Sequence, residues 1–578
     1  MDRIRAVIHK NVLPGKLMIQ TVFHNCTEKI RLKLFDNRII RWASILLLTW
    51  GVCLTYIWPR LFVSTPTGIY AGDRCIWGDW AGHMAGSAVF AFRPVSMWFK
   101  NHPLFYGVPY NYPFASDMIS GLLMRMGFHP VPAFLIPSII TSLILLLALY
   151  FFYLGVLKSE PQAYLATTLF LLSGGLGFWY YFKDILHFPS FHTLFYPLRE
   201  YSYLENKGIY FRNVIPGELL PQRSFLLGLP VGLLLLAQIR TWFSEERSKP
   251  SLLRCFLTGI PAGLLMIIHT HTYITMIIIC LCIAIANVRS YKMMAAFALG
   301  AALISLWLYV SLYSQIAPSR MFGFLCGWES NIAQNGIMAF IRFWLINWGL
   351  VLPLALWGTV RMKYYRNPMV ISGWVLFLLC NFVRFQPWDW DNTKILTWSY
   401  LLLVIPVTAS VSSLWRFKKN VAKGAAIALV VILTFSGGLE VLKLIEANPT
   451  AFQMWNTDQI NMASSLRKML KPGETVLTDD DHLNWAPCLA GGQILMGFRG
   501  WLWSYGIGYL ARENDVRTMY SGKPEADVLF KKYHVQYAVL TPSARSNFKA
   551  NELLFLLKYK MVLKDNDTSV YDVTKLRR

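Results

Sequence analysis

Apolar runs about 20 residues long recur along most of the chain, and they exclude most folds before anything else is considered. Wound as a helix at roughly 1.5 Å per residue, a run of that length spans the roughly 30 Å hydrocarbon core of a bilayer. Such runs fall near 42–62, 131–157, 163–182, 222–241, 252–268, 272–288, 293–314, 337–360, 368–385, 395–414 and 424–443. Composition agrees: of 578 residues, 55% are hydrophobic and 15% charged, whereas a water-soluble protein carries about 25% charged residues. So few charges cannot cover 22 Trp, 28 Tyr and 37 Phe in water, so much of the surface faces lipid. The expected class is an α-helical polytopic membrane protein with about 11 transmembrane helices.

The 55 Lys and Arg exceed the 31 Asp and Glu by 24. In a soluble chain that excess would suggest nucleic acid. Here the short connectors KSEPQ, RTWFSEERSKPSLLR, VRSYK, RMKYYRNP and RFKKNVAK are all basic except the balanced first, and the positive-inside rule puts them in the cytoplasm. No nucleic-acid partner is expected. Residues 1–41 carry nine Lys or Arg against three acids and read as a cytoplasmic basic N-terminal segment, too long for the head of a cleaved signal peptide. Eleven spans then leave the C-terminus extracytoplasmic, in a bacterial inner or plasma membrane. The expected parts are 1–41, a transmembrane domain 42–443 with a long first outer loop 63–130, and a small extracytoplasmic α/β domain 444–578. In the last of these, the helix-like EADVLFKKYH precedes the strand-like VQYAVLT. Two runs meeting at HTHTY read as a hairpin, because a single long helix would invert all that follows. Nine cysteines show no CxxC spacing; one disulfide among Cys75, Cys326 and Cys488 is allowed and none is demanded.

With the spans nearly free of charge, chemistry is expected on the outer loops. The first loop reads GDRCIWGDWAGHMAGSAVFAF, which suits a helix lying on the membrane surface. Asp79 and His83 are four apart and share a helical face; the plainer role for Asp79 is an N-cap. Asp73 lies six residues earlier, and Asp117 is expected to cap the next short helix. In IYFRNVIPGELLPQRS, Arg223 opens a span, where its fork suits a phosphate or reaches lipid headgroups. His269 and His271 are polar groups at membrane depth, read as hydrogen-bonding a polar ligand in preference to a metal. In NFVRFQPWDWDNTKILTW, Arg384, Asp389, Asp391 and Lys394 crowd one loop. Pairing among themselves is the plain reading, yet Lys394 opens an apolar helix, where a cation needs an anion beside it. A lipid phosphate is such an anion.

This layout resembles the GT-C superfamily of polytopic glycosyltransferases, which includes protein mannosyltransferases, the lipid A aminoarabinose transferase and oligosaccharyltransferases. The likeness is carried by GDRCIWGDWAGH, YNYPFASD and the WDWDNTK loop, with a tail like GWLWSYGIGYLARENDVRTMYSG. It implies inverting transfer of a sugar from a polyprenyl-phosphate donor to a lipid, glycan or protein acceptor on the extracytoplasmic face. By the same analogy Asp79 would be the catalytic base, with Asp73, His83, Arg223, His269, His271, Arg384, Asp389, Asp391 and Lys394 around the substrates. Some relatives have adjacent acids in this loop, and here Asp73 and Asp79 are six apart, which leaves open which one matches. The metal-dependent branch uses acids in later loops. Asp389 and Asp391 offer such a pair, so divalent-metal use stays undecided. The rivals are a lipid or solute transporter, expected to show charges within spans and repeated halves, and a non-catalytic protein of envelope assembly.

Overall fold

The computed structural model describes residues 37–244, 248–314 and 322–576, so all of the basic N-terminal segment except residues 37–41 lies outside the described residues. Six described helices are long and apolar enough to cross a bilayer: Asn37–Leu61, Pro130–Leu157, Arg223–Thr241, Val288–Tyr313, Asp389–Trp415 and Asn420–Ile445. A seventh crossing is the pair Ile332–Trp348 and Val351–Arg361, bent by 95° between its halves. Leu252–Ile268, Thr270–Ala286 and Pro368–Phe382 are apolar but shorter. The protein is thus an integral membrane protein with six or seven full-length spans by length and composition, where eleven were expected.

The run 163–182 departs furthest from expectation. Its helix ends at Leu171 and a separate one begins at Phe178. Glycines between them allow close backbone approach: a Cβ on Gly175 would sit 2.6 Å from the Asn347 carbonyl oxygen. The two runs at HTHTY are separate helices, as expected, because His269 is extended (φ −162°, ψ 106°) and its side chain caps the second one. The most enclosed element is Thr393–Trp415, buried almost without interruption from Thr393 to Thr408. Its sequence is apolar all round, which suits a helix surrounded by other helices.

The helix Arg74–Phe92 in the first outer loop corrects another expectation. It does not lie along a surface but is buried from Trp80 to Ala91 apart from Gly82. Its small residues let neighbours approach, and it packs against Ala115–Arg125 and the short helix Trp485–Cys488 of the tail. The tail is also less separate than expected. Its strand Phe452–Asn456 pairs antiparallel with Gly68–Ala71, which pairs with Phe62–Thr65 in the same loop. Gly68, at φ 139°, allows this pairing, since a Cβ there would fall 2.9 Å from the Asn456 Cα. The rest of the tail holds short helices and a five-stranded sheet in the order Gln493–Ile494, Thr475–Leu477, Val535–Leu540, Ser569–Leu576, Tyr559–Lys564. The first three strands are parallel and the last two antiparallel additions. First loop and tail form one packed layer over one end of the helical bundle.

Candidate functional site

Between that layer and the bundle lies a cavity of about 530 Å³. The helix Arg74–Phe92 contributes Asp79 and His83, the turn before Arg223–Thr241 contributes Gln222, and the HTHTY turn contributes His269 and His271. Asp391 and Lys394 enter from the WDWDNTK loop, and Trp501, Trp503, Ser504 and Tyr505 come down from the tail. The basic connectors between spans contribute nothing to it.

Asp73 and Asp79 divide the roles that the sequence left open. Asp73 is the N-cap, its Oδ1 accepting from the Cys75 amide at 2.8 Å, and it lines a different, smaller cavity beside Arg212. Asp79 therefore does not cap, and it faces the main cavity. Its Oδ2 accepts from Gln222 Nε2 at 2.8 Å. Burial pushes its carboxyl above the usual range and the nearby Asp391 charge adds to this, while His83, Lys394 and the Gln222 bond pull the other way. A carboxylate so placed is a stronger base than one in water.

Asp117 does not cap its helix; the N-cap position is Phe114, which makes no side-chain bond. Instead Asp117 is buried under His83, its Oδ1 lying 2.9 Å from His83 Nδ1 and 3.3 Å from Arg223 Nη1. Gly86 makes room, because a Cβ there would lie 2.7 Å from Asp117 Oδ2. Arg223 also donates to Ser120 Oγ at 2.5 Å and stacks 3.9 Å over the Phe134 ring. This corrects its reading as a phosphate ligand or a snorkelling side chain: it is buried in an ion pair and does not line the cavity. Removing one partner of such a pair costs about 3–5 kcal/mol.

Lys394 lines the cavity, with Nζ 2.9 Å from Asp391 Oδ1, so the plain reading of internal pairing holds for these two. Asp391 Oδ2 also accepts from Ser504 Oγ at 3.4 Å, tying the loop to the tail. Arg384 and Asp389 are not among the cavity residues. Arg384 sits in a short antiparallel pairing with Gly323, and the Asp389 carbonyl accepts from Trp328 Nε1 at 2.9 Å.

Sequence reasoning passed over several side chains. Tyr112 and Tyr505 meet with ring centroids 4.7 Å apart and planes tilted by 43°, across the gap between first loop and tail. Glu218 is buried, accepts from Thr393 Oγ1 at 2.7 Å, and is pushed up to about 7 by burial, against the pull of Lys394 and Thr393. Asn111 lines the cavity with both amide atoms lacking a hydrogen-bond partner among the described residues. The signal for the tail residues was present in GWLWSYG, a cluster of three aromatic residues within seven.

Among the described residues no group of three or more His, Cys, Asp or Glu side chains is placed to hold a metal ion. His269 and His271, with ring centroids 5.5 Å apart, lack the further ligand a metal site would need. The described cysteines are free thiols.

No protein-family model and no curated protein matches this chain. Solved structures do. An oligosaccharyltransferase from Archaeoglobus fulgidus aligns at TM-score 0.48 and 11% identity, over 90% of this chain and 73% of its own. Apo ArnT from Cupriavidus metallidurans aligns at 0.49 and 11%, over 91% and 97%. ArnT from the same organism bound to undecaprenyl phosphate aligns at 0.50 and 11%, over 93% and 98%. The chain shares its overall fold with the undecaprenyl-phosphate-bound ArnT.

Proposed function

We propose that this GT-C-fold membrane protein is a glycosyltransferase that moves a sugar from a polyprenyl-phosphate carrier to an acceptor hydroxyl by an inverting displacement. One observation carries the reading: the Asp79 carboxylate and the Lys394 ammonium line a single aromatic-walled cavity at one end of the bundle. Asp79 takes the proton of the acceptor hydroxyl as its oxygen bonds to the anomeric carbon. The bond from that carbon to the phosphate oxygen breaks, and the carrier phosphate leaves with the electron pair. A phosphate leaving group needs charge stabilisation rather than a proton; Lys394, held by Asp391, supplies it. ArnT solved with undecaprenyl phosphate supports a polyprenyl-phosphate carrier as the donor here.

In this reading the N-terminus is cytoplasmic, the layer made by 63–130 and 444–578 is extracytoplasmic, and the membrane is a bacterial inner membrane. The basic connectors lie away from the cavity, as a cytoplasmic position requires. The test is lipid-linked product analysis in cells with and without the protein. Disappearance of one glycosylated product together with build-up of its sugar-charged carrier is expected. Unchanged profiles of both would reject the activity.

A further inference from the structure

Within the glycosyl-transfer reading, on which this step rests, we infer that Asn111, His269 and His271 form the subsite for the transferred sugar, and that this sugar is an uncharged, hydroxyl-rich unit. All three side chains line the cavity, and their exposures are only 5%, 3% and 8%. Four of their polar atoms, Asn111 Nδ2 and Oδ1 and the two Nε2 atoms, have no hydrogen-bond partner among the described residues. Buried polar groups are almost always satisfied, so unsatisfied groups converging on one cavity point to a ligand that satisfies them. The four atoms also define its chemistry. His269 Nδ1 accepts from the Thr272 amide at 3.2 Å, so in the neutral ring the Nε2 carries the hydrogen and donates. The Asn111 amide both donates and accepts. A mixed set of this kind, bringing no carboxylate and no ammonium, matches sugar hydroxyls, which also do both.

Charge elsewhere in the cavity argues against a charged sugar. An amino sugar needs a carboxylate within its own subsite, and Asn111, His269 and His271 bring none; of the lining carboxylates, Asp79 serves the acceptor hydroxyl in the proposed reaction and Asp391 is paired with Lys394. A uronic acid needs a cation, and the single Lys or Arg among the described lining residues is Lys394, already paired and needed by the phosphate. A site built to hydrogen-bond hydroxyls also discriminates strongly against analogues that leave its polar groups unmet.

The experiment measures binding of three probes to the full chain in detergent: undecaprenyl phosphate, undecaprenyl-phosphate-glucose, and the same carrier bearing an amino sugar. The neutral sugar is expected to tighten binding at least about tenfold over the bare carrier, the scale of one or two hydrogen bonds, and the amino sugar to add little. Asn111→Ala and His271→Ala should each erase most of that gain while leaving bare-carrier affinity unchanged. If either alanine variant fails to fold, Asn111→Ser and His271→Gln are measured instead, with the same expectation. Equal binding of bare and glucosylated carrier, preference for the amino sugar, or equal weakening of all probes by the variants would overturn the subsite. A transfer assay on the wild-type chain, run beside the binding measurement, separates the two readings. Sugar-dependent binding without transfer by the wild type would leave the subsite standing and reject the enzyme, whereas transfer without a sugar contribution to binding would reject the subsite alone.

Discussion

Asp79 and Asp73 sit on one helix less than two turns apart, yet only one faces the cavity, and this separation can be tested. Asp79→Asn keeps the shape and the Gln222 contact but removes the proton acceptor, so transfer should fall by ~10²–10⁴. Asp73→Asn keeps a capping side chain and should leave transfer near normal in the same product assay. Burial raises the Asp79 carboxyl and the base must be ionised, so the acid limb of kcat/KM should lie at higher pH than the ~3.9 of a free aspartate. For Lys394, the single change to Met would strand the buried Asp391 carboxylate. The informative variant is therefore Asp391→Asn with Lys394→Met, which should fold but use the donor ~10- to 100-fold less well, the worth of one charge-assisted contact. Glu218 offers a stability test. Its pKa is raised from 4.5 to about 7, so its stabilising contribution is complete below pH 4.5 and is lost as pH rises through 7. Glu218→Gln should flatten the fall in Tm across that window, as read by thermal unfolding in detergent. Of these residues, Asp79, His83, His269, His271, Asp391 and Lys394 were legible in sequence because each is a polar group in an apolar setting. Arg223 was misread because its partner Asp117 lies 106 residues away, and no local pattern announces such a pairing.

The short helix Arg499–Ser504 roofs the cavity, and its attachments explain how a six-residue helix holds its place. Arg499 reaches Asp480 at 2.5 Å and Glu513 at 3.0 Å, while Gln386 Nε2 donates to the Ser504 carbonyl and hydroxyl at 3.1 and 3.0 Å. Gln386→Ala removes both of these bonds and should loosen the roof more than Ser504→Ala, which keeps the backbone bond and loses, beside the Gln386–hydroxyl bond, only the longer 3.4 Å contact to Asp391. Hydrogen exchange should show lower protection over 498–507 in Gln386→Ala than in Ser504→Ala. Equal protection in both would mean that the arginine end alone fixes the roof. The roof also shows why the elements were unevenly legible. Long apolar helices announce themselves by length, and the tail's α/β alternation by its change of period. The broken run 163–182 did not, because its apolar composition continues across glycines whose reason is the close approach of distant segments: Ser436 and Gly437 at Gly174, the Asn347 backbone at Gly175 and Tyr201 at Gly177. The helix Arg74–Phe92 was recognised, but its burial was not, since the covering elements come from the far end of the sequence.

Taken whole, the molecule joins its two ends: residues 68–71 pair with 452–456, Trp501 packs over Gly82, and the Tyr505 ring packs against Tyr112. The tail is therefore part of the reaction chamber in the proposed function rather than an attached recognition module. A chain ending after residue 445 should still insert, because every long apolar helix precedes that point. It should lose transfer altogether, because it leaves the Gly68–Ala71 strand edge unpaired and removes Trp501, Trp503, Ser504 and Tyr505 from the cavity wall. A tail that only chose the acceptor would predict something different, namely retained hydrolysis of the donor or transfer to simpler hydroxyls. The same arrangement puts tail and cavity on one face, so the proposed sidedness can be tested on the tail. A reporter active only outside the cytoplasm should work when fused after residue 578 and stay silent within RMKYYRNP, whose residues flank the bundle end away from the cavity. The reverse result would put the cavity in the cytoplasm, where an extracytoplasmic acceptor could not reach Asp79, and the proposed reaction would fall with it.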